Sequence, residues 1–225
     1  MSYVLKHMTA ANGAFYSAES ADSEGEEGKF YLWSSEEIKN TLNQAEAAAA
    51  VVFFHIMEDG NFIDPVSRRK TGQNILYAEE NITQNNTFKK IRIKLLLERD
   101  KRPRPELDDK VLTDWNGLMV AALARAAQVL DNKKYGEAAR KAAQFILKNL
   151  RSGDGKLLHR WRNGQAGLDS TAADHSFLIW GLLELYSWDF DSKWLEYALG
   201  LTDDLFKDYW DEKLGGFYLT TERKK

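Results

Sequence analysis

The sequence predicts an all-α protein of the α/α-toroid, six-hairpin type, holding only part of the ring. Three observations predict it. Residues 111–225 carry a sixty-residue period, each period reads as two amphipathic helices joined by a short turn, and a glycine-marked extended piece closes each copy. A helical hairpin that buries one face cannot stand alone, so such units stack on their neighbours.

The period is read by laying Asp114 over Asp174, which also brings Leu118 over Leu178, Leu123 over Leu183, Ala138 over Ala198 and Gly155 over Gly215. In the first copy Trp115, Leu118, Met119, Ala122, Leu123, Ala126 and Leu130 recur at helical spacing, and Asp131-Asn132-Lys133 breaks the helix. A second helix follows, with Tyr135, Ala138, Ala139, Ala142, Phe145, Ile146 and Leu150 on one face. Gly153-Asp154-Gly155 ends it, Lys156 to Trp161 reads as extended, and Asn163-Gly164 is a hairpin turn. The second copy repeats the plan with Phe177, Leu178, Leu182, Leu183 and Tyr186, then Trp194, Tyr197, Ala198, Leu201 and Leu205. Its extended piece, Gly215-Gly216-Phe217-Tyr218-Leu219, echoes Gly13-Ala14-Phe15-Tyr16, so the chain is expected to start in the tail of an earlier copy.

Residues 1–110 are less regular: an acidic β-hairpin, an alanine-rich helix from Ser34 or Ser35 to about Ile56, a broken polar stretch over 58–80, and a basic amphipathic helix from about Thr87 to Arg99. With the two repeats of 111–225 they are expected to form one incomplete toroid domain spanning 1–225.

Composition excludes several functions. The chain has no cysteine, which removes disulfides, thiolate metal sites and a cysteine nucleophile. A formal net charge of −3 with both signs interspersed leaves no basic footprint for nucleic acid. No apolar run approaches the roughly 18 residues of a membrane span, and the start lacks a signal-peptide pattern. The expectation is a cytoplasmic chain with no membrane partner and no cofactor. The histidines His7, His55 and His159 show no ligand spacing, so no metal site is expected either.

Three phrases carry a resemblance. They are Gly13-Ala14-Phe15-Tyr16-Ser17-Ala18-Glu19-Ser20-Ala21-Asp22-Ser23-Glu24-Gly25-Glu26-Glu27-Gly28-Lys29-Phe30-Tyr31, Arg104-Pro105-Glu106-Leu107-Asp108-Asp109-Lys110-Val111-Leu112-Thr113, and Trp115-Asn116-Gly117-Leu118-Met119. Together they resemble the thioredoxin-domain-containing proteins of the YyaL and spermatogenesis-associated protein 20 type. That resemblance implies a toroid similar to N-acylglucosamine 2-epimerase and six-hairpin glycosidases, attached to a thioredoxin-like domain that is absent from this sequence. Where the resemblance leads one to expect an acidic pair before a tyrosine, the chain has Ala173-Asp174-His175. It transfers no catalytic residue.

In a toroid of this kind the extended connections and the starts of the inner helices share one mouth. Asp109, Asp114, Asp174 and His175 are therefore the candidate catalytic groups, with Asp108, Trp115 and Asn116 beside them as candidate substrate contacts. Each has a plainer reading: Asp108, Asp109 and Lys110 as helix-start electrostatics and an ion pair, Asp114 and Asp174 as repeated caps, His175 as a packing residue. Glu19 and Asp22, in the acidic phrase with Glu24, Glu26 and Glu27, are candidate ligand contacts or simply the solvated tip of a hairpin. Of the tryptophans most read as core, while Trp161, flanked by Arg160 and Arg162, is the candidate that stacks on a ligand. Two functions follow. One is a carbohydrate-active toroid acting by epimerisation or hydrolysis; the other is a non-catalytic helical scaffold beside a thioredoxin-like module. An unfinished ring also exposes hairpin faces, so either self-association or the missing parts of a longer chain are expected to cover them.

Overall fold

Helix boundaries in the computed structural model, which describes residues 1–221, follow the capping residues. The helices are α1 (Ser2–His7), α2 (Ser35–Thr41), α3 (Gln44–Phe53), α4 (Asn86–Arg99), α5 (Thr113–Val129), α6 (Lys133–Asn149), α7 (Ala172–Asp189) and α8 (Ser192–Tyr209). Ser34 with Glu37, Asn43 with Glu46, and Thr171 with Asp174 form reciprocal capping boxes at α2, α3 and α7. Asn43 explains why the single alanine-rich helix expected over 34–56 is two: its side chain takes the Glu46 amide and starts a new helix. The long helices are all-α in class, and the remaining strands are short.

Two compact units share the chain. One runs from Glu19 to Glu106, and the other joins Met1–Ala18 to the residues from Leu107 onward. The first half is thus more than an irregular lead-in, because the Glu19–Glu106 unit has its own core of Trp33, Ile38, Leu42, Phe54, Phe88, Ile91 and Leu95. Arg102 clamps that unit. Its guanidinium donates to the carbonyls of Phe30 (3.1 Å) and Leu32 (2.6 Å), pairs with Glu37 at 3.1 Å and lies over the Trp33 ring. The acidic hairpin pairs Asp22 with Glu27 and Ser23 with Glu26, and both turn residues, Glu24 and Gly25, have positive φ. That is the two-residue turn whose twist suits a hairpin.

The other unit contains the repeats as an arc of α/α hairpins. Helices α5 and α7 lie side by side, α6 covers α5, and α8 covers α7. Their core is Val120, Leu123, Ala124, Ala142, Ile146, Leu178, Leu182, Leu185, Trp194 and Leu201, all at most 1% exposed. The sheet that leads into the helices pairs Val111–Leu112 with Leu158–Arg162, and that strand with Gln165–Asp169 across the Asn163-Gly164 turn.

Each copy ends in the same small closure. Tyr16 donates its amide to Met8, Leu158 to Leu150 and Tyr218 to Tyr209, at 2.9, 3.0 and 2.9 Å. Residues 8–16 therefore form the same closure as the tails of the two repeats, in line with the Gly13-Ala14-Phe15-Tyr16 echo. The register of the period, however, needs correcting. Helices α6 and α8 start at Lys133 and Ser192, with N-caps Asn132 and Asp191, so the hairpins repeat at fifty-nine residues. The count reaches sixty only past the tail, where Arg151 bridges Leu157 but Trp210 bridges Phe217, one residue further on. Asp114 and Asp174 are consequently not equivalent. Asn116 and His175 are, and both are buried.

Glycine sets the distance between α5 and α7. A Cβ on Gly117 would lie 2.5 Å from the Phe177 carbonyl carbon, and one on Gly181 would lie 2.7 Å from the Gly117 carbonyl oxygen. Backbone meets backbone there, so nothing flexible can yield. Replacing Gly117 by alanine gains about 1 kcal/mol of helix propensity but overpacks this contact, so a net loss of roughly 1–3 kcal/mol is expected. Urea denaturation of Gly117→Ala measures it, and unchanged or raised stability would mean the two helices can slide apart.

Candidate functional site

The starts of α5 and α7 are joined by one carboxylate. Helix α5 has no capping side chain of its own, since Leu112 occupies the N-cap. Instead Asp174, in the first turn of α7, accepts the Asp114 amide at 3.0 Å. The same carboxylate accepts the Thr171 amide (2.7 Å) and hydroxyl (2.9 Å), closing the capping box of its own helix. A fourth contact comes from His159 on the 158–162 strand, whose Nδ1 lies 2.9 and 3.1 Å from the two oxygens. Asp174 is fully buried, and the histidine tautomer that satisfies it carries its proton on Nδ1.

Asp114 sits beside this anchor. Burial, with the Asp174 carboxylate nearby, holds the Asp114 carboxyl above the ordinary carboxylate range, against the pull of the Trp115 amide it accepts at 2.8 Å and of His159. Ligand atoms of Asp114, His159 and Asp174 lie within 4.8 Å of one another, the spacing a cation site has. Asp174 already accepts from four donors, so a cation there would have to displace some of them. His159, which shows no ligand spacing in the sequence, is the neighbour that spacing missed. It stands fifteen positions before Asp174 and reaches it only because the strand 158–162 pairs with 111–112 ahead of α5.

His175 points elsewhere. Its Nδ1 donates to the Thr171 carbonyl at 3.1 Å, its ring packs on Tyr209, and burial pushes the imidazole below its usual range. It lines a small cavity together with residues of α8. Asn116 is 1% exposed, and its amide is consumed by structure: Oδ1 accepts the Phe15 amide at 2.8 Å, and Nδ2 donates to the Phe15 and Leu112 carbonyls at 2.9 Å each. It holds the preceding tail against α5 and offers a substrate nothing.

The remaining sequence candidates scatter. Asp109 pairs with Arg162 at 2.6 Å and Asp108 with Lys110 at 2.8 Å, both at the surface, which matches their plainer reading. Glu19 pairs with Arg104 at 3.2 Å, and Asp22 is an exposed hairpin residue. The large groove of the Glu19–Glu106 unit, about 650 Å3, is lined by Glu24, Glu26, Glu27, Lys29 and Arg102, and by neither Glu19 nor Asp22. Trp161 is not a free stacking surface, because its strand turns it edge-on to Phe145 with ring centroids 5.5 Å apart. Trp115 is the half-exposed tryptophan at the start of α5.

Two substitutions separate anchoring from chemistry. Asp174→Ala strips the acceptor from the Asp114 and Thr171 amides, and leaving such donors unpaired costs roughly 2–4 kcal/mol, readable by urea denaturation. A loss below about half a kilocalorie per mole would show that water replaces the carboxylate. Asp114→Asn acts in the opposite sense. Since folding raises this carboxyl, ionising it opposes folding at neutral pH, and that penalty disappears once the pH falls below the ordinary aspartate range. The variant should raise Tm by about 1–3 °C at pH 7 and by nothing below about pH 4. A Tm difference independent of pH would contradict the buried, raised carboxyl.

No family model matches the sequence. Relatives nevertheless align along nearly all of it: spermatogenesis-associated protein 20 of Rattus norvegicus is 30% identical over 257 residues, covering 97% of this chain and 32% of the relative. The Homo sapiens protein of that name is 30% identical with 97% and 33% covered, and the uncharacterised Caenorhabditis elegans protein B0495.5 is 28% identical with 97% and 34% covered. Among solved structures, a D-mannose isomerase covers 98% of this chain and 71% of its own at 17% identity and a TM-score of 0.46. Cellobiose 2-epimerase from Bacillus thermoamylovorans covers 95% and 54% at 13% identity and a TM-score of 0.46. No described helix is long and apolar enough to cross a membrane. The chain is similar to spermatogenesis-associated protein 20 along nearly its whole sequence, and it spans about a third of the length of those relatives.

Proposed function

We propose that the repeats form part of a carbohydrate-active α/α toroid in which the Asp114 carboxyl exchanges a proton with a bound sugar. The observation that carries this reading is the contrast between two neighbouring carboxylates. Asp174 faces donors on every side, whereas Asp114 is lifted by burial and has one backbone donor at 2.8 Å. Paired acids whose surroundings differ in this way divide into one held by its donors and one whose carboxyl gives up its proton less readily. The Asp174 carboxyl group also orients His159, whose Nε2 is then an acceptor beside the same helix start. Trp115, in that first turn, supplies an exposed aromatic face of the kind sugar rings pack against. The reaction class is proton transfer at a sugar carbon or a glycosidic oxygen, giving epimerisation or hydrolysis.

A second reading, the helical scaffold beside a thioredoxin-like module, is favoured by the surface pairs Asp109–Arg162 and Asp108–Lys110 and by the structural duties of Asn116. In that reading the exposed Trp180 and Leu183 of α7 are faces that a following hairpin or a second copy covers.

A panel of mono- and disaccharides in deuterated water tests the first reading. Proton NMR should show binding of at least one sugar and solvent deuterium entering at C2, or a cleaved glycosidic bond. Asp114→Asn should lower that rate by about 100-fold or more with binding kept. If no sugar binds at millimolar concentration, the scaffold reading replaces it.

A further inference from the structure

Asp114, His159 and Asp174 converge from three elements: the start of α5, the strand 158–162 and the start of α7. Each offers one ligand atom, and the three atoms lie within 4.8 Å of one another. Asp174 is fully buried, whereas Asp114 and His159 are half-buried and keep a path to solvent. Among the described residues neither carboxylate pairs with a lysine or an arginine. The one ion pair of the cluster is His159 with Asp174, and it requires a protonated imidazole. Two carboxylates brought this close without a fixed cation repel one another once both ionise.

The hydrogen bonds leave one position open to exchange. Asp174 Oδ2 accepts the Thr171 amide and hydroxyl, and Oδ1 accepts the Asp114 amide, which together cap α7 and α5. What remains is the Nδ1 proton of His159, with that nitrogen 2.9 Å from Oδ1. A metal ion can take the place of this proton while the neutral ring carries its proton on Nε2, and the three capping bonds stay as they are. At zinc bond lengths in a tetrahedral site, a ligand nitrogen and oxygen stand about 3.3 Å apart, so the His159–Asp174 edge opens by only about 0.4 Å. Asp114 commits one oxygen to the Trp115 amide and has the other to turn towards the ion.

We infer that Asp114, His159 and Asp174 bind one divalent transition-metal ion of the zinc class. An imidazole nitrogen with two carboxylate oxygens suits zinc, whereas magnesium prefers oxygen alone and keeps its water. Three protein ligands leave a fourth position for water or for an oxygen of a bound molecule. The ion and a proton are alternatives at the Asp114 carboxylate, so a bound ion holds that carboxyl out of proton exchange. The binding itself does not rest on the sugar reading.

Isothermal titration of the full chain with zinc chloride, in the absence of any sugar, tests the inference. About one zinc ion should bind per chain at micromolar or tighter affinity, and Tm should rise with zinc concentration. His159→Gln and Asp114→Asn should each weaken binding about tenfold or more. His55→Gln, whose ring stacks on Tyr77 outside the cluster, should bind as the parent does. Millimolar magnesium should not displace the ion. Histidine nitrogen NMR on the parent chain should find the His159 proton on Nδ1 before zinc is added and on Nε2 afterwards, a readout that needs no variant to fold. No binding, undiminished binding in either variant, displacement by magnesium, or an unmoved His159 proton would each overturn the assignment. A chain that binds zinc but no sugar sinks only the sugar reading, and a sugar-active chain that binds no zinc sinks only the metal site.

Discussion

The close packing of α5 on α7 is the constraint on which the rest of the repeat unit rests. With Gly117 and Gly181 at the crossing, backbone touches backbone, and the starts of the two helices come near enough to share one side chain. Side-chain bulk at either glycine would push the axes apart, and Asp174 would no longer reach the Asp114 amide. Helix α5 is the one long helix of the repeats without a cap from its own N-terminal flank, so it depends on that loan. A single contact therefore fixes the spacing of the hairpins, ends one helix properly and sets the environment of the acid beside it.

The same economy decides which polar residues remain available for chemistry. Asn116 and Asp174 are both buried, Asn116 with its amide taken up by backbone groups and Asp174 with its oxygens taken up by two backbone amides, a hydroxyl and a histidine. Residues of that kind hold structure, and their burial costs little because every group is paired. Asp114 and His175 differ. Each is driven from its ordinary proton affinity mainly by burial, and each retains an atom with no fixed partner among the described residues. Displacement by desolvation without full compensation is how proteins prepare groups to act on something else.

Much of the fold was legible in the sequence because it rests on local rules. Helical spacing placed α5 to α8, the Asn163-Gly164 turn fell between its strands, and the aromatic echo at Phe15 marked a third tail. The register of the repeat was not legible. Aligning Asp114 with Asp174 matched letters across a tail that is one residue longer in the second copy, and a slip of one is too small to disturb a helical pattern of 3.6 residues per turn. The site was hidden for a related reason. His159 meets Asp174 through strand pairing, and Trp161 turns inward for the same cause, whereas spacing along the chain reports only neighbours on one helix.

The corrected register gives the repeats their interpretive value. Two hairpins of one chain solve the same packing problem, so the positions they share, such as Leu123 and Leu182 or Ile146 and Leu205, are those the packing demands. Positions where they part are free of that demand. Asn116 closes its copy against Phe15, while His175 at the same place ties Nδ1 to Thr171 and lines a cavity of about 210 Å3. Opening a cavity gives up dispersion contacts. A hairpin that bears this cost, next to a sibling that does not, departs from it where the shared packing makes no demand.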